Sequence, residues 1–295
     1  MMRWIILIAL LTASVLRADV PVLLRGPYLQ MANSTAITVC WRTDIPGTGR
    51  VRYGTSEAAL GSMREEPADA INHELRLTGL TPATHYYYAV ETADTLLAGG
   101  ATHHFYTPPA DGAADAVRFW VLGDPGTQTL AQRMVRDAFA PLHAQRRADL
   151  WLMLGDNAYY TGTDVQFQGA VFNTYPDYLK TVPLWSCIGN HETYAGVDAG
   201  GKYAYDHIFV FPTNGECGGV ASGTERYYSW NYGRVHFVSL DSMTVSRAPD
   251  GPMAQWLMAD LEANVQPWVV AFWHHPPYSR GTHNSDFEAE LVQMR

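Results

Sequence analysis

Four times beyond residue 116 the chain runs through a stretch of apolar residues and then breaks into a short cluster of metal-binding residue types. The clusters read VLGDPG (Val121 to Gly126), LMLGDNAYY (Leu152 to Tyr160), CIGNHE (Cys187 to Glu192) and AFWHHPPY, the last followed by His283. Short apolar runs that end in Gly-Asp or Gly-Asn read as buried β-strands leaving a sheet at a turn. In open α/β sheets, ligands gather in the loops beyond the carboxyl ends of the strands. Four strands delivering Asp, Asp with Tyr, Asn with His, and His would place these donors on one rim. A single Gly-Asp is an ordinary turn; four such strand ends together constrain the chain to a layered α/β domain with a polar rim.

The spacing between the clusters supports that reading. Val117 to Leu122, Leu150 to Leu154, Val182 to Ile188 and Trp268 to Trp273 are strand candidates. Leu130, Met134, Val135, Ala138, Phe139 and Leu142 fall on one helical face. Val165 to Leu179 reads as mostly helical with a break at Pro176, and Met253 to Leu261 and Phe287 to Met294 as further helices. Asn231-Tyr-Gly233, between Arg226–Ser229 and Val235–Leu240, signals a hairpin.

The first part of the chain has a different rhythm. From Val22 to Pro108 it reads as all-β, with strands at Thr35–Arg42, Arg50–Gly54, Leu75–Leu77, Tyr86–Val90 and His103–Tyr106, and Trp41 in the core. The stretch from Leu80 to Tyr86 resembles the corner of fibronectin type III modules, where a tyrosine hydroxyl ties back to nearby backbone. His103 and His104 read as ordinary strand residues. Pro108 to Ala116 is poor in large apolar residues and reads as a linker. The expected organisation is a leader over residues 1–18, a fibronectin-like sandwich over 22–108 and an α/β domain over 117–295. The leader reading rests on Arg3, the apolar run Trp4 to Leu11 and Ala18 as the last residue before cleavage; an uncleaved anchor is the alternative.

Composition narrows the function classes. Of 295 residues 47% are hydrophobic and 17% charged, which is ample for a core, and the formal net charge of −9 speaks against non-specific nucleic-acid binding. The odd count of cysteines (Cys40, Cys187 and Cys217) builds no disulfide framework. Cys40 reads as a buried hydrophobe, and a Cys187–Cys217 bridge stays open.

Carboxylates, an amide carbonyl and imidazoles suit zinc, manganese or iron, and a phenolate such as that of Tyr159 favours a trivalent ion. A carboxylate can bridge two such ions, and the pair clamps a phosphoryl group. Here the chain resembles the purple acid phosphatases of the binuclear metallophosphoesterase (calcineurin-like) superfamily. The motif GDxG stands as Gly123-Asp124-Pro125-Gly126, GDxxY as Gly155-Asp156-Asn157-Ala158-Tyr159, and GNHE as Gly189-Asn190-His191-Glu192. The next motif, a histidine after an apolar strand, matches His274.

The resemblance implies Fe(III) on Asp124 and Tyr159, Asp156 bridging, and Asn190 and His274 on a divalent ion (Zn, Mn or Fe). It also implies that His191 contacts phosphate, and that His283 binds phosphate or protonates the leaving alcohol. Glu192 is expected to orient backbone or His191, and His275 to be a hydrogen-bonded neighbour of His274. The family's Gly-His-x-His motif has no match here, which implies a chain incomplete at its C-terminus or a true loss of two ligands.

The expected protein is thus an exported hydrolase of small phosphomonoesters, secreted or held in the periplasm or cell envelope. It would use hydroxide on a binuclear metal centre. The alternatives are a phosphodiesterase or nucleotide hydrolase on the same scaffold, or an inactive binding protein. No nucleic-acid partner and no membrane contact beyond the export signal are expected.

Overall fold

A computed structural model of the chain describes residues 20–92, 95–281 and 284–287. The leader, His283 and all but the first residue of the helix expected from Phe287 lie outside these residues.

The first part is a two-sheet β-sandwich. One sheet has the order β1-β2-β5, from β1 (Leu23–Asn33), β2 (Ala36–Gly47) and β5 (Ala70–Thr78). The other is built from β3 (Gly49–Gly54), β4 (Ser62–Glu65), β6 (His85–Thr92), β7 (Thr95–Ala98) and β8 (His104–Tyr106), in the order β4-β3-β6-β7 with β8 also on β6. Alternating inward residues such as Leu29, Val39, Trp41, Val51, Leu77, Tyr88 and Phe105 fill the space between the sheets. The expected tyrosine tie is present: the Tyr86 hydroxyl accepts the Thr81 amide at 3.0 Å.

The second part begins with β9 (Phe119–Leu122), α1 (Leu130–Gln145) and β10 (Leu150–Met153). The short helices α2 (Asp164–Phe167) and α3 (Pro176–Leu179) follow, then β11 (Leu184–Ser186) and α4 (Ala204–Ile208). The hairpin β12 (Tyr228–Tyr232) and β13 (Val235–Ser239) comes next, then α5 (Pro252–Ala263) and β14 (Trp268–Phe272). Strands β9, β10 and β11 form one parallel sheet; β12, β13 and β14 form another, with β14 parallel to β13. Large aromatics join the sheets, with Trp185 stacked on Trp230 at 3.9 Å and Phe119 against Phe237 at 5.5 Å. This layered α/β domain behind an all-β sandwich is the architecture expected from the sequence.

Three local readings change. The helical stretch between Val165 and Leu179 breaks at Pro176 as expected, where proline opens the first turn of α3, but ahead of that break it divides again into α2 and a π-helical turn over Gln168–Phe172. The hairpin turns at Gly233-Arg234, with Tyr232 paired to Val235 and Gly233 at φ 54°, so Asn231 stays in the strand.

The third change concerns α1. Its apolar residues do share a face, but Leu130, Met134, Val135 and Leu142 are more than half exposed. Of that face Phe139 meets the sheet, stacked on Trp120 at 3.9 Å, while buried Gln132 at its edge donates to the Ala170 carbonyl of the π-helical turn at 2.8 Å. The outward residues of β9 and β14, Val121 and Trp268 among them, are also open.

The sandwich is keyed to the α/β part. Tyr28 of β1 packs edge-on against Phe172 and donates its hydroxyl to the Ile208 carbonyl. Arg25 and Arg42 both pair with Asp164, at 2.9 and 3.1 Å, and the Tyr88 hydroxyl donates to the Lys180 carbonyl. All three cysteines are buried free thiols, so Cys187 and Cys217 are not bridged.

Replacing Tyr86 by Phe removes the hydroxyl that accepts the Thr81 amide and should cost about 1 kcal/mol. Denaturant unfolding checks this; an unchanged midpoint would show that water takes over the bond.

Candidate metal centre

Parallel pairing of β9, β10 and β11 brings their carboxyl ends to one rim, and β14 ends at the same rim from the second sheet. Asp124, Asp156, Asn190 and His274 follow these four strand ends and line one cleft of about 360 Å³, together with Tyr159, His191 and Tyr194. Asp124 and Asp156 each have left-handed backbone, φ 50° and 53°. Aspartate tolerates that region better than most residues, and strain of this kind collects at functional sites.

The loops lie almost in contact. The Gly126 amide donates to the Asp156 carbonyl at 3.1 Å, and the Tyr159 amide to the Gly126 carbonyl at 3.0 Å. A Cβ on Gly126 would stand 2.1 Å from the Asn157 carbonyl carbon, and one on Gly189 would stand 2.3 Å from the Asp156 nitrogen. Glycine is required at both places because backbone passes over backbone.

Glu192 pins two of the loops from below. Its buried carboxylate accepts the amides of Asp156 at 2.9 Å, Asn157 at 2.6 Å and Gly189 at 2.7 Å. This is the orienting role expected for it. Burial, reinforced by the Asp156 charge, pushes its pKa up to about 7, while the three amides pull the other way.

The donor atoms converge. One ligand atom each from Asp124, Asp156 and His274 fall within 4.8 Å of one another. The Tyr159 hydroxyl donates to Asp156 Oδ2 at 3.0 Å. Partial desolvation and the two aspartates push the Tyr159 phenol far up, so it ionises only if a cation displaces the proton. Desolvation in the cleft also pushes the Asp124 carboxyl up, opposed by His274 and reinforced by Asp156.

His274 carries the decisive geometry. Its Nδ1 lies 2.8 Å from the Leu154 carbonyl, which can only accept, so Nδ1 holds the proton. In the neutral ring Nε2 is then a lone pair, and it faces Asn190 Oδ1 at 2.9 Å and Asp156 Oδ1 at 3.5 Å. Facing lone pairs at these distances are reconciled by a proton on Nε2 or by a cation held among them. A metal cation fits that point, and carboxylate, amide oxygen and imidazole are its usual donors.

Of the other expected residues, His191 donates Nδ1–H to the Tyr160 carbonyl at 2.7 Å, and its Nε2 lies 3.8 Å from Asp156 Oδ2. His275 is buried, with Nδ1 against the Ser242 hydroxyl at 3.0 Å, in keeping with a neighbour and not a ligand. His103 and His104 lie in the sandwich, away from the cleft. The structure therefore brings together Asp124, Asp156, Tyr159, Asn190, His191 and His274; His283 lies outside the described residues. Tyr194, which sequence reasoning missed, also lines the cleft. Its only sequence signal is its place four residues after Asn190, one turn along a short helix.

Residues 117–294 match the family model described as calcineurin-like phosphoesterase, and residues 25–107 match that of the purple acid phosphatase N-terminal domain. Purple acid phosphatase 15 of Arabidopsis thaliana is 32% identical over 243 residues, which span 72% of this chain and 43% of that protein. Tartrate-resistant acid phosphatase type 5 of Homo sapiens is 27% identical over 216 residues, spanning 59% and 60%. Among solved structures, purple acid phosphatase PPD1 from yellow lupin (Lupinus luteus) seeds aligns with a TM-score of 0.64 at 17% identity, covering 88% of this chain and 52% of that one. PhoD aligns with a TM-score of 0.63 at 15% identity, covering 95% and 69%. At such identities these likenesses establish the fold. The chain spans less than half the length of the first plant relatives it matches.

Glu192→Gln should loosen both ligand loops and lower metal affinity by tenfold or more, the usual cost of losing an outer partner; equilibrium dialysis measures it. In the metal-free protein the raised Glu192 pKa means that the folded state holds an extra proton between about 4.5 and about 7. Its contribution to stability therefore falls as pH rises through that window. The wild type should lose more stability across it than Glu192→Gln; equal slopes in denaturant titrations would contradict the assignment.

Proposed function

Since the chain belongs to the calcineurin-like phosphoesterase family, we propose that it is an exported hydrolase of small phosphomonoesters that works with two metal ions in the rim cleft. The observation that carries this reading is the convergence of His274 Nε2, Asn190 Oδ1 and Asp156 Oδ1 on one point of the cleft, at 2.9 and 3.5 Å from the imidazole nitrogen. In this reading Asp124 and Tyr159 would hold a ferric ion, Asn190 and His274 would hold a divalent ion, and Asp156 would serve both. When bound, the ions would supply Lewis acidity toward a phosphoryl oxygen and lower the pKa of water.

The protein's own residues do the rest. Asp124 and Asp156 keep the cleft acidic until cations enter, so an anionic ester has no favourable seat in the metal-free protein. His191 has its Nδ1–H committed to the Tyr160 carbonyl. When protonated, it offers its Nε2–H to the cleft, where an oxygen of the ester would accept it. His283, seven residues beyond Pro276 on the cleft wall, is assigned the same kind of contact or delivery of a proton to the leaving alcohol.

The two-part organisation, 22–108 and 117–295, gives a sandwich that buttresses the α/β domain through Tyr28, Arg25 and Arg42. Export is supported by the short apolar run Trp4 to Leu11 and Ala18. Among the described residues no helix is long and apolar enough to cross a membrane.

Asp156→Ala should abolish both metal retention and hydrolysis, read by metal analysis and turnover of an aryl phosphate; hydrolysis near the original level would refute the bridging role. Rates on a monoester and a diester assign the substrate class, and a preference for the diester would overturn the monoester reading. With iron bound, Tyr159→Phe should bleach visible absorbance that arises from phenolate-to-iron charge transfer; unchanged colour would refute Tyr159 as a ligand.

A further inference from the structure

The structure assigns Tyr194 as the residue that positions Asn190 for the divalent ion, an inference that rests on the metal-centre reading above. Asn190 has two amide ends. One, Oδ1, faces His274 Nε2 in the cleft; the other, Nδ2, donates to the Tyr194 hydroxyl at 2.7 Å. Tyr194 reaches that end because the short helical turn His191–Thr193 carries it round to lie above Asn190.

The backbone of the same turn is held separately, by the Thr193 hydroxyl donating to the Asn190 carbonyl at 2.7 Å. The Tyr194 backbone amide closes the turn on the His191 carbonyl at 3.4 Å whatever the side chain, so the phenol hydroxyl itself acts on the amide plane. A carboxamide is otherwise free to rotate about its last torsion, which is broad and two-fold. Rotated by half a turn, it would offer Nδ2–H to the lone pair of His274 Nε2, a good hydrogen bond that turns a donor toward the cation position.

The Tyr194 ring adds little to the core. It is 57% exposed and lies tilted beside the His191 ring at 4.7 Å. Its removal should thus change the ligand and not the fold. The phenol oxygen accepts from Nδ2 here and would donate to Oδ1 if the amide were reversed, so Tyr194 holds the amide plane and a cation in the cleft selects Oδ1 as the inward end.

The test is manganese(II) binding to the full chain, followed by electron paramagnetic resonance of the free ion, in wild type, Tyr194→Phe, Asn190→Ala and the double variant. The wild type should bind two ions. Tyr194→Phe should weaken one of them by about tenfold or more, leave the other unchanged, and leave the melting temperature of the metal-free protein unchanged. Asn190→Ala should weaken the same ion, and adding Tyr194→Phe to it should have no further effect. Two ions held by Tyr194→Phe as tightly as by the wild type would overturn this inference alone. So would an effect that adds in full to that of Asn190→Ala, since Tyr194 would then act by another route. A wild type that binds no manganese would overturn the metal-centre reading itself, and this inference with it.

Discussion

Like charges and facing lone pairs dominate this molecule. Two aspartates, an amide oxygen and an imidazole nitrogen are held together at the mouth of a cleft that, among the described residues, no lysine or arginine lines. Left alone, such groups would separate, because each gains more from water than from the others. They stay together because the backbone that carries them is bound elsewhere. Gly126 and Gly189 let the loops pass in contact, and Glu192 gathers three amides beneath them. The cost of that convergence is set by the fold, and a bound cation would offset it.

The rest of the architecture serves that arrangement. Parallel strands put three loops on one rim, and the second sheet brings His274 to the same edge through β14. Trp185, Trp230 and their aromatic neighbours join the two sheets, so the four strand ends keep their spacing. The sandwich in front is anchored through Arg25, Arg42 and Tyr28 onto the loop segment that carries α2 and the π-helical turn. That segment follows directly from the loop of Asp156 and Tyr159, so the first part of the chain braces the site without lining the cleft.

Much of this could be read from the sequence, for a physical reason. Strand ends that leave a buried sheet with Gly-Asp or Gly-Asn carry both the turn and the ligand in adjacent letters, so Asp124, Asp156 and Asn190 stand out. The tie from Tyr86 to Thr81 was legible because it is local. What escaped was set by tertiary context. β1 is broken by Gly26-Pro27 and by register shifts along its pairing with β2, so its alternation is blurred. The apolar face of α1 obeys helical spacing, yet the helix docks only along the edge of that face, through Phe139 and the neighbouring Gln132, and periodicity cannot tell how much of a face a neighbour will cover. Tyr194 carries no motif letter, and its bond to Asn190 appears only once the short helical turn is formed.

The account stands or falls on whether a cation occupies the point where these donors meet. Anomalous diffraction from crystals grown with manganese(II) tests this directly. The account predicts anomalous peaks in the rim cleft, within bonding distance of Asp156 and His274, with the Asn190 carbonyl oxygen turned toward one of them. A cleft without a peak, or peaks confined to surface carboxylates elsewhere, would contradict it.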